Sequence, residues 1–281
     1  MDDSGYKYKV GFQGVNGSFS HQALIEYFGS GIAAVNYPSF KDIFNALGNG
    51  EVKYGIVPLE NSSTGGISEV YDLLGEYGYY ITGEKCLKVD QNLLGIKGTD
   101  ISQIKEVYSH MQGFLQSKNY FDQHHEWRLI PYHNTAKSAM YVGQQKSINK
   151  ACVASRKAAE IYGLEILKAN INDNNNNYTR FIVIGRDQEI GQECEKITIV
   201  TSLPHKAGSL YKLLKHFADN KSNLFKIESR PIMGRPWEYL FYIDFQGNMK
   251  EKITMNIFNA MKEDGLNYKF LGNYKAEENY K

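Results

Sequence analysis

Little in this chain of 281 residues suits it to disulfides, metals or membranes. Its three cysteines, Cys86, Cys152 and Cys194, are odd in number and far apart. They form neither a disulfide framework nor a zinc spacing, and a reducing, cytoplasmic setting is expected. No apolar run approaches the roughly 18 residues that span a bilayer. The opening MDDSGYKYKV has no apolar core behind its charges, so neither a membrane partner nor an export signal is expected. An excess of one charge is also lacking: 32 Lys and Arg against 31 Asp and Glu give a net +1. With no basic run, a nucleic-acid partner is disfavoured. His124 and His125 are adjacent, cannot share a helix face and have no carboxylate or cysteine at ligand spacing, so no metal is expected. The composition, 42% hydrophobic and 22% charged, is that of a soluble globular protein, and the length suggests two domains.

What is present is alternation. Lys7 to Phe12 reads as a strand running into GFQGVNGSFSHQAL, where three glycines precede Ser18 and Ser20. Either serine can cap a helix bearing Ala23, Leu24 and Tyr27. Strand, glycine-rich turn and helix N-terminus together make a seat for an anion, because free backbone N–H groups meet the positive helix end. A plain strand-to-helix turn is the alternative, since the pattern is neither a P-loop nor a dinucleotide fingerprint. Ile32 to Tyr37 reads as a second strand. Phe40, Ile43, Phe44 and Leu47 recur at helical spacing and are closed by Gly48 and Gly50. In YGIVPLENSSTGGISEVYDLL, a strand (54–58) leads to a polar turn (60–66) and then to a helix bearing Ile67, Val70, Tyr71 and Leu74. The turn gathers Glu60, Asn61, Ser62, Ser63 and Thr64, which suit a carboxylate-bearing ligand or, equally, an over-capped helix.

Further on, 81–89, 92–96, 107–108, 128–132 and 151–154 read as strands. Ser109 is a helix N-cap candidate with His110 and Gln112 in the first turn, Asn134 and Thr135 cap the next helix, and Ser155 opens another. In DNNNNYTRFIVIG, Asn174 to Asn177 reads as a surface loop and Phe181 to Ile184 as a buried strand. Thr179 and Arg180 stand at their junction, where a rigid scaffold commonly presents chemistry. The alternative is a structural threonine and a surface arginine. Strands alternating with helices over 7–185 predict an α/β architecture with parallel sheets. Polar clusters at 14–20, 60–66, 109–112 and 134–135 each follow a strand and precede a helix, the edge at which such sheets bind ligands. The charged stretch 186–196 reads as a linker. Beyond it the order becomes βαββαβ, a ferredoxin-like arrangement that by itself decides no function.

Taken together, these residues resemble the prephenate dehydratase family with a C-terminal ACT regulatory domain, over about residues 8 to 275. The markers stand in family order: GFQGVNGSFSHQA, YGIVPLENSSTGG, SHMQ, NTAKSA, ASRKAAEIYGL, NYTRFIVIG, and Glu-Ser-Arg-Pro at 228–231. The resemblance implies a two-lobed catalytic domain (1–187) of periplasmic-binding-protein-like form with a cleft between its lobes, a linker (188–195) and the ACT domain (196–281). It implies conversion of prephenate to phenylpyruvate in L-phenylalanine biosynthesis, the ring losing a carboxylate as CO2 and a hydroxyl as water. Aromatisation drives that reaction, so no cofactor and no metal is expected.

Carried over motif by motif, Thr179 is the proton donor to the departing hydroxyl. Arg180 either pairs with a substrate carboxylate or points away for structural reasons, and Phe181 packs in the strand. Glu60, Asn61 and Ser62 bind substrate oxygens, while Ser18, Ser20, Ser109, Gln112 and Thr135 line the site. In the second domain, Gly208, Ser209 and Leu210 of one chain face Asn223, Leu224, Glu228, Ser229, Arg230 and Pro231 of another around L-phenylalanine. That arrangement implies feedback regulation in a homodimer or homotetramer. Met111 stands where the family usually has proline and Asn134 where it usually has serine, while Ser209 and Tyr211 interrupt Gly-Ala-Leu-Val. The first two bear on substrate contacts and the third on effector affinity. Arogenate dehydratase and a non-catalytic amino-acid sensor are the competing readings. The chorismate mutase domain that the family often carries has no counterpart here, which leaves a longer natural chain open.

Overall fold

In the computed structural model, residues 6–29 and 31–277 are described. The chain folds into two compact units that interleave in sequence. One comprises residues up to Ile43, Glu60–Gly65 and Leu87–Thr179; the other comprises Phe44–Leu59, Gly66–Cys86 and Arg180 onward.

In the first unit, Lys9–Gln13 pairs in parallel with Ala33–Tyr37, from Lys9↔Ala33 to Gln13↔Tyr37. The helix Phe19–Phe28 lies between them in sequence and supplies the crossover that parallel strands require. Val10, Phe12, Ala23 and Leu24 are fully buried. The same unit holds a five-stranded sheet in the order Glu165–Lys168, Asn92–Gly95, Lys150–Ala154, Glu106–Ser109, Arg128–Pro131. The sheet is mixed, which corrects the expectation of parallel sheets. Asn92–Gly95 runs antiparallel to both neighbours, whereas Glu106–Ser109 is parallel to both of its own. Helical connections enforce one direction on the other strands. Asn92–Gly95 is reached directly from the strand Tyr80–Lys88 and enters from the opposite end. Alternation then covers both faces. Leu93, Val107, Ala151 and Val153 pack with Phe114, Phe121 and Trp127, while Leu94, Tyr108, Cys152 and Ala154 pack with Ala139, Val142 and Ala158. The edge strand Glu165–Lys168 is absent from the sequence reading because its four residues, EILK, are half exposed and carry no alternating signal.

In the second unit, Tyr54–Asn61, Tyr178–Gly185 and Tyr80–Lys88 lie side by side in that order, with their outermost residues belonging to the first unit. Ile56, Val57, Ile182 and Ile184 are wholly buried. The C-terminal part runs Lys196–Ser202, helix Ser209–Asp219, Leu224–Pro231, Tyr239–Gln246, helix Lys252–Glu263, Tyr268–Tyr274. Its four strands form an antiparallel sheet whose spatial order is second, third, first, fourth. Leu213, Phe217, Ile257 and Met261 bring the two helices down onto Ile197, Ile199, Ile243 and Phe245. Among the described residues no helix is long and apolar enough to cross a membrane, and no group of His, Cys, Asp and Glu could hold a metal ion.

Candidate active site

The strand Tyr178–Gly185 begins earlier than its apolar run suggests, so Thr179 and Arg180 lie inside it and not at a loop junction. Their side chains therefore take opposite faces. Thr179, 9% exposed, accepts a hydrogen bond at Oγ1 from Asn61 Nδ2 at 2.9 Å. The same amide nitrogen donates to Asn177 Oδ1 at 2.7 Å and to the Tyr178 carbonyl at 3.1 Å. The Asn61 side-chain oxygen, Oδ1, accepts from the backbone N–H groups of Ser63 and Thr64 at 3.0 and 3.2 Å, fixing the turn that follows. Ser62 completes the join: its N–H donates to the Tyr178 carbonyl, and its hydroxyl donates to the Asn176 carbonyl while accepting from the Tyr178 N–H. One asparagine thus ties two segments more than a hundred residues apart to one threonine. Among the described residues no acceptor takes the Thr179 hydroxyl proton, which leaves that proton available to a ligand.

Asn177 corrects the surface-loop expectation. Asn174 to Asn176 are exposed, but Asn177 is 2% exposed and is held by Asn61 and Ser63. A run of four like residues gives no local hint of which one turns inward. Glu60 is half-buried just before Asn61.

The first glycine-rich turn also lies in this unit. Ser18, and not Ser20, is the N-cap: its hydroxyl accepts from the His21 N–H at 3.2 Å, while Ser20 is buried on the helix. The Gly17 N–H donates to His21 Nδ1 at 3.3 Å. Burial, followed by the nearby Lys157 charge, holds His21 below its ordinary pKa and favours the neutral ring that this acceptor needs. Gly17 has φ +85°, and a Cβ there would sit 3.0 Å from Ala158 Cα, so only glycine lets the turn lie against the helix Arg156–Tyr162. The Ser155 hydroxyl caps that helix by accepting from the Ala158 N–H and donates to the Gly17 carbonyl at 3.0 Å, while the Tyr162 hydroxyl donates to the Asn16 carbonyl. Ser155 reads from sequence as a cap only; its second role needs the turn beside it.

Ser109 is fully buried, and its hydroxyl donates to the Val153 carbonyl at 3.1 Å, inside the sheet. It is not the helix cap. His110 is, through Nδ1, which accepts from the Gln112 N–H. A strand that extends through residue 109 moves the cap one place along. Asn134 caps the helix Thr135–Gln145, with Thr135 and Gln112 half-exposed at their helix starts. Gly113 lets Ser109 and Thr135 approach: a Cβ at Gly113 would lie 2.6 Å from Ser109 Oγ and 3.6 Å from Thr135 Cγ2.

Arg180, in the second unit, is 6% exposed and donates to Glu84 Oε2 at 3.1 Å and to Asp244 Oδ2 at 2.7 Å. Lys196 Nζ donates to Glu84 Oε1 at 2.6 Å. Phe181 packs in the core at 2% exposure. Farther along, Gly208, Ser209 and Leu210 form the start of a helix whose N-cap, Gly208, has φ 84°. Ser209 Oγ is buried and has no hydrogen-bond partner among the described residues. Ser209 and Leu210 help to line a cavity of about 390 Å³ with Trp237, Tyr239 and Phe241. Asn223 stands just before the strand that carries Leu224, Glu228, Ser229, Arg230 and Pro231, and accepts at its carbonyl from the Gln246 N–H. Arg230 grips Asp72 through Nε and one terminal nitrogen at 3.1 and 2.9 Å, and Ser68 at 2.8 Å through the other.

The fold is that of an α/β protein, and Asn61, Ser62 and Thr179 make a candidate site of hydroxyls and amides suited to orienting a polar ligand. Residues 10–189 match the model of the prephenate dehydratase family, and the chain belongs to that family. It is 33% identical over 279 residues to a bifunctional chorismate mutase/prephenate dehydratase of Escherichia coli strain K12, covering 96% of this chain and 71% of that one. Among solved structures, the prephenate dehydratase of Arthrobacter aurescens in complex with L-Phe superposes with a TM-score of 0.85 at 26% identity, covering 95% of this chain and 90% of the other. A chain described as GqqA, a novel type of quorum quenching acylase, gives the same TM-score at 25% identity, covering 96% of this chain and 98% of its own.

Proposed function

We propose that this chain turns prephenate into phenylpyruvate, CO2 and water, with Thr179 handing a proton to the ring hydroxyl as it leaves. The observation that carries the reading is the Thr179 hydroxyl itself. Its oxygen is pinned by Asn61, and its proton is not taken up by the described residues. Breaking the ring C–O bond expels oxygen as water once it gains that proton. Breaking the C–C bond to the ring carboxylate supplies the electron pair that completes the aromatic ring and releases CO2. Because aromatisation drives both, the protein's task is positioning plus general acid catalysis. Ser18, Gln112 and Thr135, none of them fully buried, hold oxygens of the dianionic substrate. Glu60, Asn61 and Ser62 shape the turn, and Ser20, Ser109 and Phe181, all buried, support the elements that carry them.

Residues 1–187 make the catalytic domain, 188–195 the linker and 196–281 an ACT domain that binds L-phenylalanine. The L-Phe in the Arthrobacter aurescens relative supports that assignment, as does the buried Ser209 hydroxyl, which has no hydrogen-bond partner among the described residues and stands at a cavity lined in part by Leu210, Trp237, Tyr239 and Phe241. Effector bound where two chains meet, with the 208–210 turn of one against the 223–231 segment of the other, shifts the quaternary equilibrium and with it the rate. The assembly is a homodimer or homotetramer of a cytoplasmic enzyme. The test mixes pure protein with prephenate and follows phenylpyruvate by absorbance, with and without phenylalanine. Absence of phenylpyruvate sinks the reading, and turnover that ignores phenylalanine sinks its regulatory half.

A further inference from the structure

The least expected feature of the second unit is its buried charge. Glu84, Arg180, Lys196 and Asp244 are all at most 6% exposed and carry two positive and two negative charges. Arg180 spans Glu84 at 3.1 Å and Asp244 at 2.7 Å. Lys196 meets the other Glu84 oxygen at 2.6 Å, and the Glu277 N–H donates to that same oxygen at 2.9 Å. Asp244 uses its second oxygen to accept from the Thr198 hydroxyl at 2.8 Å, and Thr198 in turn lies 2.9 Å from the Tyr274 hydroxyl. The side chains come from the strands Tyr80–Lys88, Tyr178–Gly185, Lys196–Ser202, Tyr239–Gln246 and Tyr268–Tyr274.

A cluster of this kind is a poor way to gain stability, since well-packed apolar residues commonly do as well or better in such places. What it supplies is geometry: each group has one arrangement in which all charges are paired. Arg180 adjoins Thr179 in one strand, with the two side chains on opposite faces. Fixing the guanidinium from two sides fixes the backbone that carries the threonine, while Asn61 fixes its oxygen from the other face. The C-terminal sheet approaches closely enough to hold that arrangement, since any side chain at Gly272 would run into the Ile81 carbonyl.

We propose that Arg180 is a positioning residue for Thr179 and not a substrate ligand, and that Glu84, Asp244 and Lys196 are the groups that hold it in place. Through Asp244 and Lys196, the C-terminal sheet contributes to the geometry of the catalytic step. This rests on the dehydratase reading above.

The test is a mutant cycle on the full chain. Asp244→Asn keeps the shape and removes one charge from Arg180. In the parent background it lowers kcat at least about tenfold with KM within about threefold, because orientation is lost and binding is not. In a Thr179→Val background the same change has little further effect on kcat, since no hydroxyl remains to be positioned. A merely structural role lowers kcat by the same factor in both backgrounds. If Asp244→Asn fails to melt cooperatively, Thr198→Val, which removes the hydroxyl that Asp244 and Tyr274 share and leaves the charges in place, is read in its place with a smaller loss of the same kind. Equal losses in both backgrounds, a rise in KM with kcat kept, or a lowered Tm with kcat within threefold of the parent each overturn the positioning role. If the parent itself makes no phenylpyruvate, the dehydratase reading fails and this inference falls with it.

Discussion

Replacing Thr179 with valine keeps the branched shape and removes one oxygen. Among the described residues, that oxygen only accepts from Asn61 Nδ2, and the same nitrogen has the Asn177 side chain and the Tyr178 carbonyl within 2.7 and 3.1 Å. Asn61 therefore keeps partners, and the loss in stability amounts to one ordinary hydrogen bond, about 1 kcal/mol. Losing the proton donor is another matter. Positioned general acids contribute about 10²- to 10⁴-fold, or roughly 2.7–5.5 kcal/mol of barrier. The two figures differ enough to be separated in one preparation. Urea melts give the stability change, and initial rates of phenylpyruvate formation give kcat and KM. Thr179→Val is expected to lose at least about 10²-fold in kcat while melting within about 1 kcal/mol of the parent. Thr179→Ser, which keeps the hydroxyl, stays within about tenfold of the parent. A valine variant that turns over within tenfold of the parent refutes the donor role, whatever its stability.

Asn61→Ala removes the organiser of both segments, so kcat falls at least about tenfold as the threonine loses its fixed orientation, and steady-state rates on prephenate check this. Gly17→Ala puts a Cβ against Ala158 at φ +85° and costs at least about 1–2 kcal/mol in urea melts; an unchanged midpoint means the turn adapts. For Glu84, burial pushes the pKa up, but the Arg180 and Lys196 charges outweigh it and hold the folded carboxyl below the ordinary 4.5. The unfolded chain takes up that proton first, so this stability is complete above about pH 4.5 and fades as pH falls through the folded value. Glu84→Gln should lose that acid slope in Tm, and an unchanged slope shows that other groups set it. Arg230→Ala, which frees Asp72 and Ser68, weakens the response to added phenylalanine; an inhibition curve matching the parent's separates this arginine from regulation.

The sequence by itself determined the elements and the family. Apolar residues at helical spacing placed the helices Phe40–Gly48, Ser209–Asp219 and Lys252–Glu263, and the ordered markers from GFQGVNG to Glu-Ser-Arg-Pro identified the family. Periodicity is local, so a window of ten or so residues contains most of what decides it. Tertiary structure alone decided which of four asparagines turned inward, that His110 caps in place of Ser109, and that Ser155 reaches the Gly17 carbonyl. It also decided the fate of Arg180. The sequence left open whether its guanidinium met a substrate carboxylate or pointed away for structural reasons, and the fold pairs it with Glu84 and Asp244, far away along the chain. The reason is physical: a side chain's partners depend on which strands become neighbours, and that is set by the burial of whole faces, not by the residues beside it. Thr179 could be named from its motif, but Asn61, 118 positions earlier, had to be brought to it by folding before its proton had a direction.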